Sequence, residues 1–295
     1  MTSKVGVQAP EFYRFNLGDA EITVVSDGQQ MLGDPANSFL GVPKEEVRRE
    51  LTENFMDPTN LNIELNSFIV NSGDKLSLFD TGLGTSQMFG PRGGRLPQNI
   101  EYAGIRREDI DAVVISHGHI DHIGGLVDAY GQLMYPNAQV YINKADYDYW
   151  TDEAQIDSKW KKGFIEHARK NLLPAKDRIV FVEDNKEILP GITTIFTPGH
   201  TLGHTMFMIS SGSKTLCFVG DVSHHSVLLL EKPKMEFRFD IDPKMAVATR
   251  VKMLTTLAAN RTPILAYHFQ WPGYGHVAAQ GDGFRYFPAP MEMVI

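Results

Sequence analysis

Ser116-His117-Gly118-His119-Ile120-Asp121-His122 places four metal-capable side chains within six residues, directly after a predicted strand, AVVIS (112–116). His117 and His119 stand two apart, so an extended segment turns both to one side. Asp121 and His122 follow a turn and point elsewhere. Histidine and carboxylate are zinc-type donors, and this division suits two neighbouring ions better than one. A random scatter of the chain's ten histidines does not account for four donors gathered at one strand end.

Further donors are expected at other strand ends, and three candidates exist. Thr197-Pro198-Gly199-His200 follows the run ending at Phe196, with Pro198 and Gly199 shaping a tight turn that presents His200. Phe218-Val219-Gly220-Asp221 sets a carboxylate behind an apolar strand, and Ala266-Tyr267-His268 sets a histidine at another strand end. Each alone is weak, since a lone histidine is more often structural.

Outward from these motifs the chain alternates strands and helices. Runs at 12–15 and 22–25 read as strands, and 27–60 is turn-rich with one helix over 43–52. NSFIVNS (66–72) and KLSLFDTG (75–82) predict a hairpin across Gly73-Asp74. The glycine-rich stretch 82–97 predicts a long surface loop. Helices are expected over 98–104, 144–151 and 158–172, and strands over 139–143, 178–182, 192–197, 205–210 and 215–220. Val247, Val251, Leu254 and Leu257 recur at helical spacing over 243–259. PILAYH (263–268) reads as a final core strand. No composition break divides the chain, which predicts one α/β domain over 1–295 with a loose arm at 1–11.

Apolar residues make up 42% and charged residues 22% of the 295, an ordinary globular balance. A net charge of −8, from 36 acids and 28 bases, argues against a nucleic-acid surface. No apolar run reaches the roughly 18 residues of a membrane span. Cys217 is the one cysteine, so no intrachain disulfide exists. It alternates with apolar neighbours and is expected in the core. The N-terminus lacks the apolar run of a signal peptide, so the chain as written reads as cytoplasmic, or periplasmic if a leader has been removed.

His117-x-His119-x-Asp121-His122, followed by His200, Asp221 and His268, resembles the ligand set of the metallo-β-lactamase superfamily. The resemblance implies an αββα sandwich with a two-metal centre at one edge. His117, His119 and His200 would bind the first ion. Asp121, His122 and His268 would bind the second, with Asp221 bridging. YRFNLGDAEITVVSDG (13–28), MFGPRGGRL (88–96), SHGHIDHIGGL (116–126) and HFQWPGYGHV (268–277) are similar to the methyl parathion hydrolase branch, over about residues 12 to 290. That branch hydrolyses organophosphate triesters, its relatives open lactones or cleave aryl esters, and its members are commonly homodimers. Its pocket aromatics would map to Phe89, Trp150 and Phe164, although helix packing explains the last two equally well. Asp80, in LFDTG, resembles the carboxylate that orients a ligand histidine; the alternative is a turn cap.

One position departs from the related acyl-homoserine lactonases. They often carry a tyrosine three residues after the bridging aspartate, where this chain has His224, followed by His225. His224 is therefore expected to join Asp121 and Asp221 as a catalytic residue by donating a hydrogen bond to substrate. The alternative is a histidine pair facing solvent. His204 and His276 read as structural or supporting residues, and His167 as a solvent-facing helix residue.

These features predict a hydrolase with two divalent ions. Zinc suits the donors best, with manganese, cobalt or iron compatible. The expected substrates are small neutral lactones or esters, with organophosphate triesters as a side activity; the runner-up reverses that order. A glyoxalase II-like thioesterase or a β-lactamase is more distant. A di-iron redox role is disfavoured because such relatives tend to carry a carboxylate at the position of His119, and they need an electron-donor module. No basic clamp for an anionic substrate is evident; Arg92 and Arg95 read as solvated loop charges.

Overall fold

The computed structural model describes residues 11–293, so the expected arm lies outside the described residues except for Glu11. Two seven-stranded sheets pack face to face. The first runs, in spatial order, Phe12–Leu17, Ala20–Gly33, Leu61–Asn71, Leu76–Phe79, Ala112–Val114, Gln139–Asn143 and Ile179–Val182. Its first four strands pair antiparallel and the rest parallel. The second runs Gly283–Pro288, Tyr274–Gln280, Ile264–Leu265, Lys214–Phe218, Thr205–Ser211, Ile192–Phe196 and Glu187–Leu189. Its one parallel pair, Lys214–Phe218 with Ile264–Leu265, needs a crossover, which the helix Pro243–Asn260 supplies. Helices flank both sheets, giving the expected αββα sandwich.

Aromatic rings join the two layers. Phe68 stacks on Phe79 within the first sheet at 4.3 Å. Phe68 meets Phe218, and Phe79 meets Phe207, edge-on at 4.9 and 5.6 Å across the layers. All four are fully buried, and such pairs add about 0.5–1.5 kcal/mol each beyond their buried area.

The expected hairpin is present, with Ser72 donating to Lys75 O around Gly73 at φ +91°. Three expectations need correction. The strand Ala20–Gly33 runs well into the stretch read as turns, bent by register shifts at Ser26/Gly28 and Met31/Gly33. The buried face of Pro243–Asn260 is Ala246, Arg250, Leu254 and Leu257; Val247 and Val251 are half-buried at its edge. The 82–97 stretch is a partly exposed loop as far as Arg95, but it is pinned to the core and becomes helix from Leu96. Leu83 is buried, and the Asp27 carboxylate accepts from the amides of Leu83, Gly94 and Leu96 at 2.8, 3.0 and 2.9 Å. Burial outweighs these bonds and pushes Asp27 up to about 6.

Candidate metal centre

The donors converge from both sheets. Strand Ala112–Val114 ends in the loop that carries His117 and His119, and the short helix Ile120–Ile123 carries Asp121 and His122. From the second sheet, His200 follows Ile192–Phe196, Asp221 follows Lys214–Phe218 and His268 follows Ile264–Leu265. The side chains gather as the sequence divides them. His117, His119, His200 and Asp221 form one group and Asp121, His122 and His268 another, with donor atoms within 4.8 Å in each. Asp221 Oδ2 lies between them, 3.3 Å from His200 and His122 Nε2 and 3.5 Å from His117 Nε2. It also lies 3.3 Å from His268 Nε2.

The donor set fits two divalent ions. Nε2 of His117, His119, His122 and His200 and Oδ1 of Asp221 are buried without any hydrogen-bond partner, a costly arrangement unless something binds them. Spacings of 3.3–3.5 Å between these donors match atoms sharing a small ion at about 2.0–2.1 Å. Burial, followed by the neighbouring histidines, holds His117 and His119 far below the usual imidazole range. That direction favours the neutral form a ligand needs, whereas Asp221, Asp121 and Asp80 raise His122 against its burial. Burial opposes a charge on His200 too, but the carboxylates of Asp221 and Asp240 beside it raise it to about 9. A cation is thus favoured among these carboxylates.

Partners behind the histidines fix their orientation. Asp80 Oδ2 meets His122 Nδ1 at 2.8 Å and accepts the Ser116 hydroxyl at 2.7 Å, while Asp80 Oδ1 accepts the Ser116 amide at 2.8 Å. Asp80 sits at φ +54°, a conformation Asp tolerates better than most residues. Glu64 O meets His268 Nδ1 at 2.8 Å. His204 supports Asp221, accepting its amide on Nε2 at 2.9 Å. Gly220, at φ +49°, leaves room for that ring, since a Cβ there would stand 2.7 Å from His204 Nε2.

Several residues escaped the sequence reading. Asp240 Oδ1 meets His200 Nδ1 at 2.8 Å, although 40 residues separate them. Asp146 receives the amides of Gly118 and Gly203 and the Thr201 hydroxyl. Tyr267 donates its hydroxyl to Asp121 O at 2.6 Å. The sequence carries no local signal for these contacts. Each acidic residue is an ordinary loop or helix residue until the chain folds.

The cavity over the donors is about 10 Å³, room for about one water. Gln30, Ile63, Phe164, Phe237 and Phe239 wall it, together with His224, and no lysine or arginine lines it. Of the expected pocket aromatics only Phe164 reaches this cavity. Trp150 is fully buried and supports His119 from behind, ring to ring at 4.8 Å. Phe89 packs behind Phe164 and Phe239 at 6.1 Å from each. His224 and His225 do not face solvent; both are buried. His224 stacks on Phe237 at 3.8 Å and brings Nε2 to 3.0 Å from Asp221 Oδ2. His225 Nδ1 accepts the amides of Val227 and Leu228, at the start of the helix Leu228–Glu231.

His167 is half-buried rather than solvent-facing. His276 lines a surface groove with Arg261 and Phe287. Arg92 and Arg95 line a separate groove with Glu64 and Trp271. Cys217 lies in the core, where burial pushes its thiol up to about 12. Among the described residues no helix is long and apolar enough to cross a membrane.

Two facing sheets with paired histidine–aspartate donors at their common edge are the fold and site of a binuclear metal-dependent hydrolase. A family model described as the metallo-beta-lactamase superfamily matches residues 65–259. The chain belongs to that superfamily. It is 30% identical to AidC, a dizinc quorum-quenching lactonase solved with a product, with a TM-score of 0.89 over 96% of this chain and 98% of that one. It is 29% identical to the hydrolase AbOPH, with a TM-score of 0.89 over 97% of this chain and all of that one. It is 24% identical over 196 residues to the N-acyl homoserine lactonase AiiA of Bacillus thuringiensis subsp. kurstaki. That match spans 66% of each chain, just under two thirds of the curated relative.

Proposed function

We propose that this chain hydrolyses lactones, N-acyl homoserine lactones among them, and cleaves neutral esters, with organophosphate triesters as slower substrates. The observation that carries the reading is the ring of partnerless donor atoms under a wall of phenylalanines without a cationic side chain. An uncharged, partly apolar substrate suits that wall; an anion finds no arginine or lysine there. The lactonase relatives support the same substrate class.

Bound at these donors, two divalent ions supply hydroxide at neutral pH and Lewis acidity toward a carbonyl. The chain's own residues prepare the site. Asp80, Asp240 and Glu64 O occupy the Nδ1 side of His122, His200 and His268. Nε2 of each then faces the donor cluster, without a hydrogen-bond partner in His122 and His200 and 3.3 Å from Asp221 Oδ2 in His268. Asp121 and Asp221 would bring the negative charge that holds the ions, Asp221 Oδ2 lying within 3.5 Å of histidines of both groups. Phe164, Phe237 and Phe239 exclude bulk water. The His224 ring lines the cavity with Nε2 3.0 Å from Asp221 Oδ2, and on this reading a substrate carbonyl becomes a second acceptor for that N–H. Among the described residues no serine, cysteine or lysine lines the cavity.

The test compares kcat/KM of zinc-loaded protein on an acyl-homoserine lactone, an aryl ester and a neutral phosphotriester. A lactone or ester preference of about a hundredfold, roughly 2.7 kcal/mol in transition-state stabilisation, is expected. A phosphotriester preference of that size overturns the ordering. On the family resemblance we also propose a homodimer, which light scattering on the same sample tests; a monomer mass would overturn it.

A further inference from the structure

We propose that Arg250 is a positioning residue for the His200 side of the metal centre. Its guanidinium fixes both the turn that presents Asp221 and the carboxylate that orients His200. The inference rests on the two-metal reading above.

Arg250 stands on the buried face of Pro243–Asn260 and is 1% exposed. On that face Leu254 and Leu257 fill their places with apolar side chains. A leucine or methionine would serve packing equally well, and a buried cation is costly unless paired. Two of the three guanidinium nitrogens make hydrogen bonds, and the third faces a carboxylate. Nε donates to Val222 O at 2.9 Å, and Nη1 donates to Pro233 O at 3.0 Å and to Met235 O at 2.6 Å. Nη2 lies 3.7 Å from Asp240 Oδ2. A planar fork with five donors can hold such a set; a lysine ammonium cannot.

Each of these contacts leads to the site. Val222 follows Asp221 directly. Pro233 and Met235 precede the strand Glu236–Phe237, whose Phe237 stacks on His224. Asp240 divides its oxygens, with Oδ1 on His200 and Oδ2 toward Arg250 and the Phe237 amide. The same helix grips the His200 turn, with Thr249 donating its hydroxyl to Pro198 O at 2.7 Å. Asp80, the matching carboxylate behind His122, is held by the Ser116 amide and hydroxyl instead. Of the two carboxylates behind the histidines Arg250 faces Asp240 and not Asp80, so its effect should fall chiefly on the His200 half, with Asp221 shared between the halves.

The experiment titrates zinc from loaded wild type, Arg250→Gln and Arg250→Lys with a competing chelator. Asp240→Asn and Asp80→Asn identify which step belongs to which half. Arg250→Gln is expected to weaken the Asp240-sensitive step by roughly 10–100-fold, the usual cost of losing an outer partner, and to leave the Asp80-sensitive step nearly unchanged. Arg250→Lys keeps the charge without the fork and should fall between wild type and Gln. In Arg250→Gln/Asp240→Asn the two losses should not add.

Equal weakening of both steps, no weakening, or additive losses overturn the proposal. Melting with and without zinc covers a destabilised variant. A positioning role shrinks the zinc-dependent rise in Tm, whereas a purely structural role lowers both curves equally and counts against it. Failure of the two-metal reading is distinct, because wild type itself would then bind fewer than two ions.

Discussion

Asp146 Oδ2 accepts the amide of Gly118 at 2.7 Å, in the middle of the His117–His119 pair. The other oxygen of Asp146 accepts Gly203 at 2.6 Å, and the Thr201 hydroxyl completes the set at 2.8 Å. One buried carboxylate thus ties the donor loop of the first sheet to that of the second. Asp146→Ala leaves these donors buried without partners, at about 1–3 kcal/mol each. The variant should unfold at clearly lower urea and hold less zinc after dialysis. A urea midpoint and metal content equal to wild type would show that the loops need no tie.

Substituting a donor should empty part of the site. His119→Ala and Asp221→Asn are expected to hold fewer than two ions per chain by elemental analysis. Their turnover should fall by at least roughly a hundredfold, the upper end of what outer-partner changes cost. Chelation of wild type should abolish turnover and zinc restore it. Near-wild-type turnover in both variants would refute the two-metal reading.

Gly220 offers a test of Asp221 placement that removes no donor. Alanine there is strained at φ +49° and pushes against the His204 ring. Gly220→Ala should destabilise the fold by more than about 1 kcal/mol and reduce zinc affinity. Crystals with Asp221 unmoved and affinity unchanged would contradict this.

His224→Leu keeps a comparable volume and removes the N–H. If that N–H steadies a substrate oxygen as it gains charge, kcat/KM should fall by roughly a hundredfold with two ions still bound. Unchanged kinetics would leave His224 as a wall residue.

His225 predicts a pH effect. Burial lowers it from the usual 6.5 to about 4, and its neutral Nδ1 accepts two amides. The unfolded chain takes up a proton at a pH where the folded chain does not. The stabilisation is therefore complete above pH 6.5 and lost as pH falls toward 4, amounting to about 3 kcal/mol. Asparagine retains an acceptor and does not titrate. His225→Asn should lose less stability than wild type between pH 7 and 4.5, measured by urea midpoints. Parallel losses would count against this assignment.

The four donors of 117–122 were legible because they stand in one contiguous motif, and His200, Asp221 and His268, each weak alone beside its strand, joined the set through the family resemblance; the fold gathers all seven. The hairpin at Gly73 was legible for the same local reason. Asp240 and Asp146 were not, because their partners lie far along the chain and meet only when the sheets pack. Arg250 broke the apolar stripe of its helix, and periodicity alone centred that stripe on the neighbouring valines. Trp150 shows the limit of analogy. The ring sits beside His119, but behind it, a difference of side that spacing does not encode.

The donor groups are divided between the two sheets, so an ion that binds them binds the folded chain and not the unfolded one. Stability then rises with free metal by mass action. A cell short of zinc would lose more than the reaction. Stripped chains would open more often and meet proteases sooner, so metal supply would set how much of this protein persists.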